Sequence, residues 1–433
     1  MAARSWPTRR LGELAEFRNG LNYTKANFGV GLRVLNVGDF GDRLFAPTEG
    51  LDEIRPDGAV RDDNLLLAGD IIFVRSNGNR ELIGRSLLVR DPEGPLSHSA
   101  FTIRTRFITA QANPRFYAYV FRTRLIRDTL SAQGNGTNIS NLNQTILENL
   151  RVPEPPREVQ DEIVDVLGAY DDLIENNTKR IKILEEMTSV AFSLMEAGAS
   201  AATERALGDI VDEAGGVVRT GPFGSALHES DYTAEGSPVV MPKNLIAGRI
   251  DTSDIARIPD EVVEKLAQHK LSVGDIVYGR RGDIGRRAFI GKRQVGWLCG
   301  TGCLRISLPL GGPLHPRYLH EYLGKPDVVA GIAGAAVGAT MPNLNTSILR
   351  AVPVKVPDTT TQSRFSEVAL VNDDLIEVLR SANGVLRAQR DLLLPRLISG
   401  EVALDTAETD PTAPRAHGKP SRVSDRVAAD STP

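Results

Sequence analysis

The chain has 433 residues, more than one domain usually contains, so two or three folded units are expected. Hydrophobic residues make up 41% and charged residues 24% of the sequence, and no apolar run is long enough for a membrane span or a signal peptide. We therefore expect a cytoplasmic globular protein without membrane contact, and the net charge of −4 has to be examined segment by segment.

Residues 1–156 predict a first globular domain. Short apolar runs alternate with Gly, Pro, Asn and Asp turn residues, as around residues 70–75 (DIIFVR), which indicates a mixed α/β domain with short strands. Residues 1–150 carry 19 Lys and Arg against 16 Asp and Glu, so this domain is mildly basic. Its candidate DNA-binding side chains follow the apolar run and are Arg75, Asn77, Asn79, Arg80 and Arg85.

Residues 157–200 follow a proline-rich joint and predict a long helix. Its apolar positions recur at alternating steps of four and three, as in the seam of a coiled coil. The seam positions are Ile163, Leu167, Tyr170, Ile174, Asn177, Ile181 and Leu184. Residues 157–200 carry 4 Lys and Arg against 10 Asp and Glu, and the face around Asp171 and Asp172 is either a docking surface or an ordinary solvated face.

An internal duplication relates the two halves of the chain. Residues 141–143 (NLN) recur as 343–345, and residues 171–175 (DDLIE) recur as 373–377, both at an offset of 202. The run at residues 69–73 (GDIIF) recurs as residues 274–278 (GDIVY). A duplication of this period predicts two similar folded units.

The second copy predicts a globular domain at residues 205–357 and a second long helix at residues 358–404. Residues 205–356 carry 18 Lys and Arg against 15 Asp and Glu. The candidate DNA-binding side chains are Lys243, Asn244, Arg280, Arg281, Arg286 and Arg287, and the seam positions are Phe365, Ala369, Ile376, Leu379, Asn383 and Leu386. Gly384 and Pro395 are expected to bend this helix or to end it early. Residues 405–433 predict a disordered tail.

The predicted fold class is α/β (α+β), with two similar mixed α/β domains joined by two long antiparallel coiled-coil helices. At ~1.5 Å per residue, roughly forty residues make a rod of about 60 Å, and the two domains are expected at its opposite ends. Asn177 and Asn383 fall on the seam, where a polar residue fixes the register, unless they mark a fraying helix end.

The arginine-rich loops of both domains have the chemistry for recognising DNA. Arginine forms bidentate hydrogen bonds with guanine and asparagine with adenine, and both side chains also reach phosphate. Arginine stands in the matching loop of both copies, which favours this function over an ordinary solvated hairpin. Lys243 and Asn244 are the weaker candidates.

Catalytic motifs are missing from the sequence. It contains no P-loop, no Gly-x-Gly-x-x-Gly opening a βαβ unit, no His-Glu-x-x-His, no Gly-x-Ser-x-Gly and no Asn-Pro-Pro-Tyr or Asp-Pro-Pro-Tyr run. We therefore expect catalytic machinery to come from another chain.

Cys299 and Cys303 are the two cysteines, which excludes a disulfide framework. A zinc site would need two further ligands, for which His315 and His320 lie nearby in sequence. We predict two reduced, partly buried cysteines and no metal site.

The chain resembles the specificity subunits of type I restriction–modification enzymes over about residues 5–404. The most specific matches are residues 152–160 (VPEPPREVQ), residues 171–177 (DDLIENN) and residues 393–401 (LLPRLISGE). The resemblance implies two target-recognition domains, each binding one half of a gapped double-stranded DNA site, and two helical regions that set the gap.

The same resemblance implies partners. Two methyltransferase subunits would dock on the helices, and restriction subunits would join them to make the nuclease. S-adenosylmethionine, ATP and Mg²⁺ would bind those partners, so no cofactor is expected on this chain. The alternatives are a scaffold whose duplicated domains bind proteins, and a stand-alone nuclease, which the missing motifs disfavour.

Overall fold

The computed structural model describes residues 6–41, 43–56, 60–77, 79, 82–133, 140–198, 202–223, 226–336 and 343–402. These residues form two compact units. The first contains the described residues up to Asp171 and those from Arg387 onward, and the second contains Asp172–Leu386. Each unit therefore combines one globular domain with parts of two long helices. The tail predicted at residues 405–433 lies outside the described residues.

The first globular domain is built on a four-stranded antiparallel sheet and a three-stranded sheet. Its elements are β1 (Thr8–Arg10), β2 (Ala15–Asn19), β3 (Phe28–Leu35), β4 (Asp52–Ile54), β5 (Ile71–Val74), β6 (Ser76–Asn77), β7 (Ser86–Leu88), β8 (Leu96–His98), β9 (Thr102–Phe107), α1 (Pro114–Val120), α2 (Arg124–Gln133), β10 (Ser140–Asn141), α3 (Gln144–Asn149) and β11 (Arg151–Pro153), followed by the long helix α4 (Arg157–Gly198). The sheets have the strand orders β2-β9-β5-β7 and β4-β3-β8, and β3 runs parallel to β8.

The second globular domain repeats this topology. Its elements are β12 (Thr203–Ala206), α5 (Leu207–Glu213), β13 (Val217–Thr220), β14 (Ser237–Val240), β15 (Leu245–Ile246), β16 (Arg249–Ile250), β17 (Ala256–Ile258), α6 (Asp260–Lys265), β18 (Ile276–Gly279), β19 (Arg287–Phe289), β20 (Leu298–Cys299), β21 (Cys303–Ser307), α7 (Pro316–Tyr322), α8 (Pro326–Ala335), α9 (Thr346–Arg350) and β22 (Pro353–Val356), followed by the long helix α10 (Thr359–Ile398). The orders β13-β21-β18-β19 and β17-β14-β20 match those of the first domain, with β14 parallel to β20. The predicted fold class is confirmed.

The repeated Gly-Asp-Ile run is a structural turn that leads into the central strand of each domain. Gly69 and Gly274 have φ angles of +88° and +87°, a conformation that side chains with a Cβ rarely adopt. The Asp70 carboxylate accepts a hydrogen bond from the Leu67 backbone N–H at 2.8 Å, and Asp275 accepts one from Ser272 at 2.8 Å. The motif therefore closes the turn and places β5 and β18 in the core.

A buried glutamine fastens each domain to the start of its long helix. The Gln160 side chain accepts a hydrogen bond from the Asn113 backbone N–H at 2.8 Å and donates to the Pro155 carbonyl at 2.9 Å. Gln362 makes the matching bonds in the second unit, with the His315 N–H at 2.7 Å and the Pro357 carbonyl at 2.8 Å. Because both ends of this amide are satisfied, the helix and the domain have a fixed junction.

Within the second unit, helices α4 and α10 pack antiparallel along the predicted seam. Ile181 lies in one apolar cluster with Ile376 and Leu379, against which Leu184 packs. Nearer the globular domain, the rings of Phe192 and Phe365 lie 5.4 Å apart. The seam residue Ala369 is also buried.

Polar side chains interrupt this seam. The Asn177 side chain donates a hydrogen bond to the Asn383 side chain at 2.9 Å, and Asn372 donates one to the Thr188 hydroxyl at 3.0 Å. These pairs satisfy amides that would otherwise be buried without partners, so they favour one register of the two helices.

The first unit contains the other ends of the same helices. Ile163 and Leu167 of α4 belong to the core of the first domain, and that core also contains Leu394 and Leu397 of α10. The expectation that Gly384 or Pro395 ends α10 early is wrong, because the helix continues to Ile398. Pro395 lies in the last turn, where the loss of one backbone hydrogen bond affects few residues.

Candidate nucleic-acid interface

The arginine loop of the first domain starts where β5 ends. The Arg75 backbone N–H donates to the Phe101 carbonyl at 2.8 Å, and its guanidinium donates to the Ala100 carbonyl at 3.4 Å. Asn77 lies in β6, and its side chain accepts a hydrogen bond from the Asn79 backbone N–H at 2.8 Å. Arg85 donates to the carbonyl of Gly41 at 3.2 Å. Arg80 lies outside the described residues.

The second domain places its own arginine loop after β18. Arg280 donates to the Leu344 carbonyl at 2.9 Å, and its backbone N–H donates to the Gly302 carbonyl at 2.8 Å. Arg281 is exposed and its backbone bridges to Asn343. Arg286 is also exposed and pairs with Asp283 at 3.0 Å. The loop therefore presents two guanidinium groups to solvent.

Arg287 points into the domain instead of outward. Its guanidinium donates to the His320 carbonyl at 2.6 Å, and burial lowers the pKa of Arg287. A Cβ on Gly324 would lie only 1.6 Å from this guanidinium, so the side chain occupies a tightly packed site. The prediction of Arg287 as a DNA-binding residue is therefore wrong, because its guanidinium is used inside the domain.

Asn244 also serves the fold. Its side chain is 3% exposed, accepts a hydrogen bond from the Met241 N–H at 3.0 Å and donates to the Asp251 carbonyl at 3.2 Å. This is a side chain that closes a turn, and it has no surface left for a base. Lys243 remains exposed and pairs with Asp254 at 2.6 Å.

Asp171 and Asp373, the first residues of the duplicated Asp-Asp pairs, each hold a domain to the long helices. Asp171 is buried, accepts a hydrogen bond from the Tyr119 hydroxyl and pairs with Arg390 at 2.6 Å. Burial raises the pKa of Tyr119, and the adjacent Asp171 carboxylate raises it further. The interpretation of Asp171 as part of an exposed docking surface is therefore wrong, because its carboxylate is used inside the first unit.

Asp373 has the same function in the second unit with a different partner. It accepts two hydrogen bonds from Arg317, at 2.6 and 3.2 Å, and Arg317 also donates to Glu321 at 2.7 Å. Arg317 is buried, so these carboxylates balance a charge inside the protein. Nothing in the sequence around Asp171 or Asp373 shows this role, because Tyr119, Arg390 and Arg317 are distant in the chain.

Both helices also expose an apolar stripe that the sequence analysis missed. On α4 it consists of Ile183, Met187, Val190 and Leu194, and on α10 of Val368, Val371, Leu375 and Val378. We call these eight residues the apolar outer face. Val368 and the α4 residues line one groove. The stripe was detectable as a second set of heptad positions, each one residue before the seam.

The cysteines and histidines do not form a common site. Cys299 and Cys303 are buried in one apolar cluster, and burial raises the pKa of Cys299 to about 12. His315 caps α7, and burial lowers the pKa of His320 to about 4. Across the described part of the chain, no three His, Cys, Asp or Glu residues are grouped so that they would hold a metal ion.

Comparison with known proteins identifies relatives of this chain. Residues 4–186 match the family model described as the type I restriction modification DNA specificity domain. The MjaVIII type I restriction enzyme specificity subunit of Methanocaldococcus jannaschii is 22% identical over 303 residues, which are 66% of this chain and 70% of that protein. The EcoKI specificity subunit of Escherichia coli is 22% identical over 274 residues, 60% of this chain and 56% of that protein.

The sequence similarity to type I specificity subunits extends beyond residues 4–186 to about two thirds of the chain. The solved structure of a type I restriction–modification S subunit from M. genitalium covers 92% of this chain and 96% of its own, with a TM-score of 0.59 and 17% identity, which extends the shared fold to the second copy. These similarities support DNA sequence recognition as the function of this chain. None of its described helices has both the length and the apolar character needed to cross a membrane.

Proposed function

We propose that each globular domain binds one half of a two-part double-stranded DNA target through its arginine loop. The observation that carries this proposal is the placement of exposed or half-exposed arginines at the end of the same central strand in both domains. Arg75, Asn77 and Asn79 supply the first loop, with Arg80 and Arg85 as further candidates, and Arg281 and Arg286 supply the second. These side chains suit base edges and phosphates alike.

We further propose that methyltransferase subunits dock on the apolar outer face. Met187 and Val190 are exposed in the middle of its α4 stripe, and surface patches of this kind mark protein interaction sites. The heptad spacing suits a partner helix with its own apolar stripe, packed into the groove lined by Val368. Restriction subunits would then join through the methyltransferase subunits.

In this proposal the chain recognises DNA and its partner subunits carry out catalysis, so the chain has no catalytic activity of its own. S-adenosylmethionine, ATP and Mg²⁺ would bind to the partner subunits, and the complex would act in the cytoplasm. Purified chain alone should therefore neither methylate nor cleave DNA, and addition of its methyltransferase subunits should produce methylation at one two-part sequence. Magnesium-dependent cleavage by the isolated chain contradicts this division.

Introduction of negative charge on the apolar outer face tests the docking proposal. Met187→Glu combined with Val190→Glu should abolish co-purification of the methyltransferase subunits, because two carboxylates would be buried in an apolar contact. Ser189→Glu combined with Ser193→Glu is the matched control, since both serines are exposed on the same helix outside the stripe. Retention of the methyltransferase subunits by the first variant overturns this docking site.

Salt dependence separates DNA recognition from a protein-binding scaffold. Binding through several phosphates should weaken steeply as salt rises, because counterions are released from the DNA. The assembled complex should therefore show a linear fall of log affinity with log salt. A salt-independent affinity, equal for target and unrelated DNA, contradicts the proposal.

A further inference from the structure

The first arginine loop lies beside an exposed phenylalanine. Phe101 is 61% exposed in the turn between β8 and β9, and its carbonyl accepts hydrogen bonds from the N–H groups of Arg75 and Ser76 at 2.8 and 3.3 Å. The pairing of Val74 with Thr102 continues into these residues, so Phe101 stands opposite Arg75 at the end of the sheet. Directly opposed residues of antiparallel strands project to the same side.

The second domain has an exposed phenylalanine next to the turn that corresponds to the Phe101 turn. Gly302 is the counterpart of Phe101, because its carbonyl accepts the Arg280 N–H at 2.8 Å, and it carries no side chain. Phe223 is 64% exposed and follows Pro222, whose carbonyl accepts a hydrogen bond from the Thr301 hydroxyl in the same turn at 2.9 Å. In each domain an exposed phenylalanine thus lies in, or next to, the turn whose carbonyl accepts the N–H of the first loop arginine, and the two phenylalanines are non-equivalent residues.

This recurrence is not explained by the shared fold. Residues that build the fold occupy matching positions in the two copies, as Gly69 and Gly274 do, whereas Phe101 and Phe223 do not match. Neither ring is buried in its own domain, so neither contributes a full apolar contact to folding. On a DNA-binding surface, an apolar side chain next to arginine contacts thymine methyl groups or base steps.

We propose that the exposed ring of Phe101 makes an apolar contact with a base pair of the half-site bound by the first domain, and that Phe223 does so for the second. The inference rests on the proposed function of the arginine loops. Since Phe101 lies in the turn between β8 and β9 and Phe223 lies in the segment after β13, the two rings would contact different positions relative to their loops. The two domains would therefore select different half-sites from one common fold.

The test uses the chain assembled with its own methyltransferase subunits and DNA of the mapped target sequence. Phe101→Ala should weaken binding to the target roughly tenfold, the size of one lost base-pair contact, because the ring no longer touches the bases. Binding to DNA with a scrambled first half-site should not change. The salt dependence should also stay the same, since no phosphate contact is removed.

Matched variants complete the test. Ile108→Ala removes another exposed apolar side chain, at the far end of β9, and should leave target binding unchanged. Phe223→Ala should reduce discrimination at the second half-site and spare the first.

Three results overturn the inference: unchanged target binding by Phe101→Ala, equal weakening on target and scrambled DNA, or loss of methyltransferase subunits from the complex. If the unmodified complex itself fails to prefer the target, the proposed function falls and this inference with it. If the unmodified complex prefers the target and Phe101→Ala does so equally, only the inference falls.

Discussion

The two globular domains share their structural turns and differ along the edge that carries the arginine loops. Gly69 and Gly274 open the same turn, and Gln160 and Gln362 make the same junction to a long helix. At the loop edge, the ring of Phe101 is replaced by the hydrogen of Gly302. Identity between the copies thus marks residues that build the fold, and divergence marks the surface that would distinguish two half-sites.

The buried acidic residues are shared by the two copies but have different partners in each. Asp171 and Asp373 occupy equivalent positions and both hold a domain to its helix. Their partners differ, with Tyr119 and Arg390 on one side and Arg317 on the other. The position is therefore kept for a structural purpose, while each copy satisfies the carboxylate with its own side chains.

The largest effect is expected from Asp373→Ala. Loss of this carboxylate leaves the buried Arg317 short of a counter-charge and should cost about 3 kcal/mol in the stability of the second unit. Asp374→Ala is the matched control, because its pair with Lys292 is exposed and should be worth less than about 1 kcal/mol. Hydrogen exchange of α7 peptides during urea unfolding measures both. Equal small losses would show that Arg317 does not depend on Asp373.

The stability of the first domain should depend on pH through the buried His98, whereas the second domain has a cysteine at the equivalent position. His98 pairs with Leu35 across the parallel strands, and Cys299 pairs with Val240 in the same way, so the two residues are equivalent. Burial lowers the pKa of His98 to about 3, with nearby Arg104 and Arg18 acting in the same direction. The folded first domain therefore keeps this histidine neutral.

The sign follows from the unfolded state, in which histidine has a pKa near 6.5. The contribution of neutral His98 to stability is complete above that pH and is lost as the pH falls toward about 3. At pH 5 the loss should be about 2 kcal/mol.

The pH effect is tested by copying the second domain into the first. His98→Cys with Thr102→Cys should flatten the decline in stability between pH 7 and pH 5, measured by hydrogen exchange of residues 96–107. His228→Gln, at an exposed histidine, should retain the decline. A decline that persists in the double cysteine variant would place its cause at another group.

The smallest effects are expected from single arginines of the second loop. Arg281→Ala and Arg286→Ala should each weaken target binding about tenfold, the usual cost of one lost base or phosphate contact. Arg287→Ala should instead destabilise the second domain, because its guanidinium is hydrogen-bonded inside the domain. Competition binding and thermal unfolding separate the two outcomes. Normal target binding by both exposed-arginine variants would remove this loop from the interface.

The sequence predicted the architecture because the repeat and the heptad are patterns of residue identity and spacing, which need no knowledge of the folded chain. The seam from Ile163 to Leu184 and its partner on α10 needed only spacing. The sequence did not predict in which direction single side chains point. Arg287 and Asn244 are polar residues in loop-rich sequence, yet a strand end and a tight turn direct both inward.

The helix faces show the same limit of sequence interpretation. The acidic pair at Asp171 and Asp172 was interpreted as a surface, and only the fold brings Tyr119 and Arg390 to Asp171. Met187 and Val190 were not predicted because they lie beside the seam, at positions that are usually solvated in a two-helix coiled coil. The base contacts depend on side-chain placement within about an ångström, which neither spacing nor composition encodes.

Exchange of one globular domain tests the central claim most directly. Residues 1–156 would be replaced by the corresponding domain of a known type I specificity subunit, and the methylated sequence of the assembled complex would be mapped across a genome. We predict that one half of the methylated sequence changes, while the other half and the spacer stay the same. An unchanged sequence, or the loss of both halves in a complex that still assembles, would contradict separate recognition by the two domains.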